Sequence, residues 1–173
     1  IKALEILLKG GKGIEYGSGR STLFFAQLLD ELHSIEHHLG WSEKVNQMLL
    51  DHHMDHVHVH YIPADQVFME PKLSSEEQFF LSEEDYPIKD DVFSTYVKYL
   101  DKIAEESIDF ILVDGRARKS CCQKAMSKLR TGGILVLDNS ERVRYQSVIE
   151  DFSIYPSIFT STGLTDTTIW LKT

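Results

Sequence analysis

Gly13-Ile14-Glu15-Tyr16-Gly17-Ser18-Gly19-Arg20-Ser21-Thr22 reads as the end of a buried strand, a glycine turn and the start of a helix. Two glycines one residue apart let the backbone turn tightly and let a ligand approach the main chain. The helix expected to follow, from Ser21 or Thr22 through Leu29, would present free N–H groups and a positive dipole end to that ligand. A nucleotide-like cofactor suits such a turn. Glu15, two residues before the first glycine, does not suit a phosphate, but it does suit a cationic amino-acid moiety. A dinucleotide fingerprint needs a third glycine for close helix–strand packing, and Thr22 stands at that position.

Downstream segments fall at the spacing of an alternating strand–helix fold. Leu32–Glu36 reads as a short strand ending in an acid, placed to accept hydrogen bonds from ribose hydroxyls. His37, His38 and Trp41 come next, then a helix over Ser42–Leu50. Val57–Ile62 alternates strictly and reads as a third strand, followed by Pro63-Ala64-Asp65. A helix over Val92–Glu105 returns the chain to the sheet, and Ile108–Gly115 is an apolar run of buried parallel type that ends in Asp114-Gly115. A helix over Lys119–Leu129 follows. Arg130-Thr131-Gly132-Gly133 then ends it, and Ile134–Asn139 is another buried strand. A helix is expected over Glu141–Phe152, and Ser157–Thr160 and Thr167–Leu171 beyond it are β-rich.

Taken together, Glu15-x-Gly17-x-Gly19, Glu36, Asp65, Asp114-Gly115 and the stretch Leu129–Asn139 resemble the class I S-adenosylmethionine-dependent methyltransferases with a Rossmann-like fold, with a likeness to the O-methyltransferases. The resemblance runs over residues 3 to 172. It implies a single α/β domain over 1–173, a seven-stranded mostly parallel sheet in the order 3-2-1-4-5-7-6, and helices on both faces. It places the cofactor on Glu15, Gly17, Ser18, Gly19, Ser21, Thr22, Glu36, His37, Asp65 and Asp114. Asp114, Asp138 and Asn139 match the positions at which catechol- and caffeoyl-CoA-type enzymes hold a divalent metal such as Mg²⁺. A hard cation there takes oxygen ligands and lowers the pKa of a bound hydroxyl. Those enzymes carry a lysine three residues after the first metal acid, where this chain has Ala117. The opposing reading leaves Asp114 on the methionine end of the cofactor and Asp138 capping the next segment. Asp114, Arg116 and Asp138 are the candidate catalytic residues, with His37 or His38 as a further general base.

Arg116, Arg118, Arg142 and Arg144 gather at the same strand ends, and arginine forks match carboxylate or phosphate. Two readings stand side by side: an anionic acceptor, or pairing with Asp114 and the acidic stretch Gln66–Asp91. That stretch breaks the alternation and reads either as a substrate-side lid or as a solvated loop. His52, His53, His56, His58 and His60 read as surface and strand-face histidines rather than a zinc site.

Composition excludes other classes. The 173 residues suit one domain, and a net charge of −9 argues against nucleic acid as the partner. With 42% hydrophobic residues and only strand-length apolar runs, neither disorder nor a membrane span is expected. Cys121 and Cys122 are adjacent and read as free thiols of a cytoplasmic protein. The chain opens in an amphipathic helix without Met, which reads as the continuation of something longer, and no signal peptide is visible. A small-molecule acceptor is the expected partner. An NAD-linked oxidoreductase and a non-catalytic ligand-binding module are the rival functions.

Overall fold

In a computed structural model describing residues 2–173, strands and helices alternate as expected. In chain order they are α1 (Lys2–Leu7), β1 (Lys12–Tyr16), α2 (Arg20–Ala26), β2 (Glu31–Glu36), α3 (Leu39–Asp51), β3 (Val57–Tyr61), α4 (Ser75–Phe80), α5 (Ser94–Val97), β4 (Ile108–Val113), α6 (Arg118–Lys128), β5 (Leu129–Asp138), α7 (Gln146–Asp151), β6 (Ser157–Ser161) and β7 (Asp166–Leu171). The sheet order is β3-β2-β1-β4-β5-β7-β6, as the resemblance implies. β1 to β5 run parallel, and β7 enters antiparallel between β5 and β6.

The apolar runs of β4 and β5, and the buried Ile14 and Tyr16 of β1, are explained by burial on both faces of the sheet. Successive side chains of β4 point to opposite sides of the sheet. Phe110 and Leu112 join Phe25, Leu29, Leu32, Val45 and Leu49 under α2 and α3. Ile111 and Val113 join Phe93, Tyr96, Cys121, Cys122 and Ala125 on the other face. Both cysteines are free and buried, and burial pushes their thiols above the ordinary range. No helix among the described residues is long and apolar enough to cross a membrane.

Three expected elements differ. The single helix expected over Val92–Glu105 is a short α5 between two 3₁₀ turns, Asp90–Phe93 and Lys98–Lys102. Its aromatic and β-branched residues are weak helix formers, and a 3₁₀ turn sets residues three apart in line. Phe93, Tyr96 and Tyr99 are buried together in this way. Arg130–Gly133 does not end α6. β5 already begins at Leu129, and its pairing jumps from Ile108↔Leu129 to Phe110↔Ile134, so these residues loop out within the strand. The helix expected over Glu141–Phe152 divides into a 3₁₀ turn, Val143–Tyr145, and α7.

Candidate active site

The ends of β1, β2 and β4 open onto a cleft of about 490 Å³. The turn after β1 forms one wall. Gly17 has φ +96° and its N–H donates to the Ile35 carbonyl at 2.9 Å. A Cβ there would lie 2.8 Å from the Gly115 backbone, and a Cβ on Gly115 would lie 2.1 Å from the Tyr96 hydroxyl. Both glycines are therefore demanded by contact between the β1 and β4 turns. Gly19 differs: its φ is −177°, and a Cβ would meet nothing nearer than Ser21 Oγ at 3.9 Å. Gly19 is thus the turn glycine whose open side faces space a ligand can enter.

Glu15 is fully buried beneath this turn, not on the cleft wall. Its carboxylate accepts from Ser21 Oγ (2.6 Å), Thr22 Oγ1 (2.5 Å) and Ser34 Oγ (2.6 Å). Thr22 Oγ1 also accepts from the Gly19 N–H at 2.9 Å, and Ser18 and Ser34 hydroxyls meet at 2.7 Å. Glu15 and Thr22 therefore organise the turn from behind. Burial raises Glu15 to about 7, opposed by the three hydroxyls and assisted by the Asp114 charge.

Glu36 does reach the cleft. It is 4% exposed, with Oε2 accepting from the Ser18 N–H (3.1 Å) and Oε1 from the His38 N–H (2.8 Å). His37 Nδ1 lies 3.0 Å from Glu36 Oε1. Burial pushes the Glu36 carboxyl up, but the His37 and backbone N–H contacts together hold it below the usual range. Ser18, Ser21, Arg20, Asp114 and Arg116 complete the cleft. Trp41 donates its ring N–H to the Ser18 carbonyl and so props the turn from outside. Asp65 stands apart: its carboxylate accepts from the Thr95 N–H at 2.8 Å, and it does not line the cleft.

At the β4 and β5 ends a guanidinium occupies the centre of the group expected to hold a metal. Arg118 Nη2 lies 2.9 Å from Asp114 Oδ1 and donates to the Asp114 carbonyl at 2.9 Å. Its Nη1 donates to the Asp138 carbonyl and to Asn139 Oδ1 (3.2 Å), and Nε donates to the Gly115 carbonyl at 3.0 Å. Asp138 Oδ1 is taken by the Thr167 hydroxyl at 2.8 Å. A divalent ion among these oxygens would sit against a buried, fixed cation, so the residues present do not fit a metal. Ala117 turns the chain through φ +47° and delivers Arg118 as the first residue of α6. Burial raises Asp114 to about 6; the Arg118 charge opposes this and Asp138 beside it adds to it.

The cleft continues past Arg116 and Arg118 into a second cavity of about 150 Å³. The Gln66–Asp91 stretch, with α4 inside it, supplies Glu83, Tyr86 and Ile88 to its wall. The ion pairs divide the arginines between the two sequence readings. Arg116 pairs with Glu70 and Lys119 with Glu83, both of the acidic stretch, and Arg118 pairs with Asp114. Among the described residues Arg142 and Arg144 have no comparable partner. The aromatic side of this cavity, Tyr86, Phe93 and Tyr145, was not legible as a site, since each reads in sequence as ordinary core.

No protein-family model matches the chain, and no curated protein matches it in sequence. Solved structures match it closely in fold. A methyltransferase-like protein from Silicibacter pomeroyi has a TM-score of 0.67 at 19% identity, over 99% of this chain and 84% of that one. An rRNA methylase from Streptococcus thermophilus has a TM-score of 0.64 at 10% identity, over 99% and 92%. A Streptococcus mutans protein described as a methyltransferase, in complex with SAH, has a TM-score of 0.64 at 10% identity, over 99% and 97%. The fold is that of the Rossmann-like S-adenosylmethionine-dependent methyltransferases.

Proposed function

We propose that the protein transfers a methyl group from S-adenosylmethionine to a hydroxyl of a small, anionic acceptor. The observation that carries this reading is the pairing of Glu36, at the tip of β2, with the open side of Gly19 across one cleft at the carboxyl ends of the strands. Ligands of open α/β sheets bind at that edge.

Glu36 uses its remaining acceptor capacity on ribose hydroxyls, and the Ser18–Ser21 turn lies along the cofactor. Glu15 shapes that turn from below. When bound, S-adenosylmethionine supplies an electrophilic methyl group. Asp114 lies where this cleft meets the second cavity, and its raised pKa suits a group that takes the acceptor's proton near neutral pH. Asp138 beside it favours the protonated form, and Arg118 fixes both strand ends through their carbonyls. Arg116 aligns the acceptor at the junction. Most of the rate would come from holding acceptor and methyl in line in a site closed to water, with Gln66–Asp91 as the lid.

An NAD-linked role fits less well. Thr22, at the third fingerprint position, is buried and bonded to Glu15, and β7 lies antiparallel within the sheet. The net charge of −9 favours a small acceptor over RNA, and the buried free thiols suit the cytoplasm. Calorimetry with S-adenosylhomocysteine and with NAD tests the cofactor, and radiolabelled methyl transfer to hydroxy acids tests the acceptor. Binding of NAD alone would overturn the reading.

A further inference from the structure

Arg144 is the least compensated charge of the second cavity. It is 5% exposed, yet among the described residues it forms no ion pair. Its Nη1 donates to the Gln78 carbonyl at 2.6 Å and its Nη2 to Gln78 Oε1 at 3.1 Å, both neutral acceptors. Its Nε is buried without any partner. The Tyr86 and Tyr145 rings lie 4.2 and 5.0 Å from the guanidinium carbon and hold its plane. Arg142 comes next along the wall; among the described residues its ion-pair partner is Glu141, at 3.8 Å, too far for a hydrogen bond. Burial first, and then the charges of Arg118 and Arg144, lower the Arg142 pKa, so cations crowd here.

Six cationic side chains line this cavity; Arg116, Arg118 and Lys119 are paired with Glu70, Asp114 and Glu83, while among the described residues Lys89 and Arg144 form no ion pair and Arg142 has only the more distant Glu141. A buried cation with neutral partners and an idle N–H is costly unless a ligand completes it. The tyrosines and Gln78 hold the guanidinium in one orientation, so the site is already shaped for an anion. Tyr86, Phe93 and Tyr145 give the same cavity an apolar wall.

We infer that Arg142 and Arg144 form an anion subsite that grips a carboxylate or phosphate group of the ligand, whose apolar body lies against Tyr86, Phe93 and Tyr145. The identity of that ligand as the methyl acceptor rests on the proposed function; the subsite itself does not.

Calorimetric titration of the whole chain with benzoate and with inorganic phosphate tests this, with S-adenosylhomocysteine titrated on the same preparations. Saturable binding of at least one anion is expected. Arg142→Gln, on the more exposed of the two residues, should weaken it about tenfold or more, as expected for a hydrogen bond to a charged group. Arg144→Lys keeps the charge but loses the planar fork, and should weaken it similarly. Preference for benzoate indicates a carboxylate on the ligand, and preference for phosphate a phosphoryl group; either supports the subsite. If neither anion binds, or both variants bind as the parent does, the inference falls. Anion binding without S-adenosylhomocysteine binding would leave the subsite standing and remove the methyltransferase reading, and the opposite result would do the reverse.

Discussion

Replacing Glu15 by Gln should change how stability depends on pH more than any other single substitution at the site. The carboxyl is fully buried and titrates at about 7 in the fold against an ordinary 4.5. Between those values the folded protein holds a proton that the unfolded chain has released, so stability falls as pH rises through this window. The gap corresponds to roughly 3 kcal/mol lost by about pH 8. Gln cannot ionise, and the hydroxyls of Ser21, Thr22 and Ser34 can rotate to meet its amide. Glu15→Gln should therefore match the parent near pH 4 and exceed it by roughly 3 kcal/mol near pH 8 in urea unfolding. Asp114 contributes in the same direction below about 6 and is present in both proteins, so the difference between the curves reports Glu15 together with its interaction with Asp114. Parallel curves from about pH 5 to 8 would refute the reasoning and place an ordinary, ionised carboxylate under the turn.

Gly19→Val should leave the thermal transition of the free protein within a few degrees of the parent while strongly weakening S-adenosylhomocysteine, because its Cβ meets only the space a cofactor would fill; equal affinity would move the cofactor away from the turn. Gly17→Ala should destabilise the free protein itself, since φ +96° and the Gly115 backbone both oppose a side chain, and an unchanged urea midpoint would contradict that. Glu36→Ala should cost roughly 1.5–3 kcal/mol of cofactor binding, read as a Kd at least tenfold weaker. Arg118→Ala removes the donor shared by the Asp114, Gly115 and Asp138 carbonyls and should cost roughly 1–3 kcal/mol in urea unfolding; a loss below about 0.5 kcal/mol would show that the guanidinium does not tie the strands together. Once an acceptor is found, turnover should be undiminished in excess chelator, and loss restored by Mg²⁺ would return the metal to Asp114, Asp138 and Asn139.

The layout of the sheet could be read from the chain because the strands of its centre are buried on both faces. Phe110–Val113 and Ile134–Leu137 must be apolar throughout, and a turn bearing Gly17 must follow β1 where it meets Gly115. Glu36 was legible for a similar reason, since an acid ending a buried strand stands out in one dimension. What an acid does once placed depends on its neighbours from distant elements. Glu15 looked like a cofactor ligand until Ser21, Thr22 and Ser34 closed around it. The arginines could not be sorted along the sequence either. Spacing alone leaves Arg116, Arg118, Arg142 and Arg144 equivalent, whereas packing gives Glu70 to the first and Asp114 to the second, and buries Arg144 against Gln78 with no carboxylate. Local pattern therefore determined the strands, the turn and the edge where a ligand binds. Only the tertiary structure decided which charges are neutralised within the protein and which remain for a ligand, because pairing between residues as far apart as Glu70 and Arg116 is set by packing.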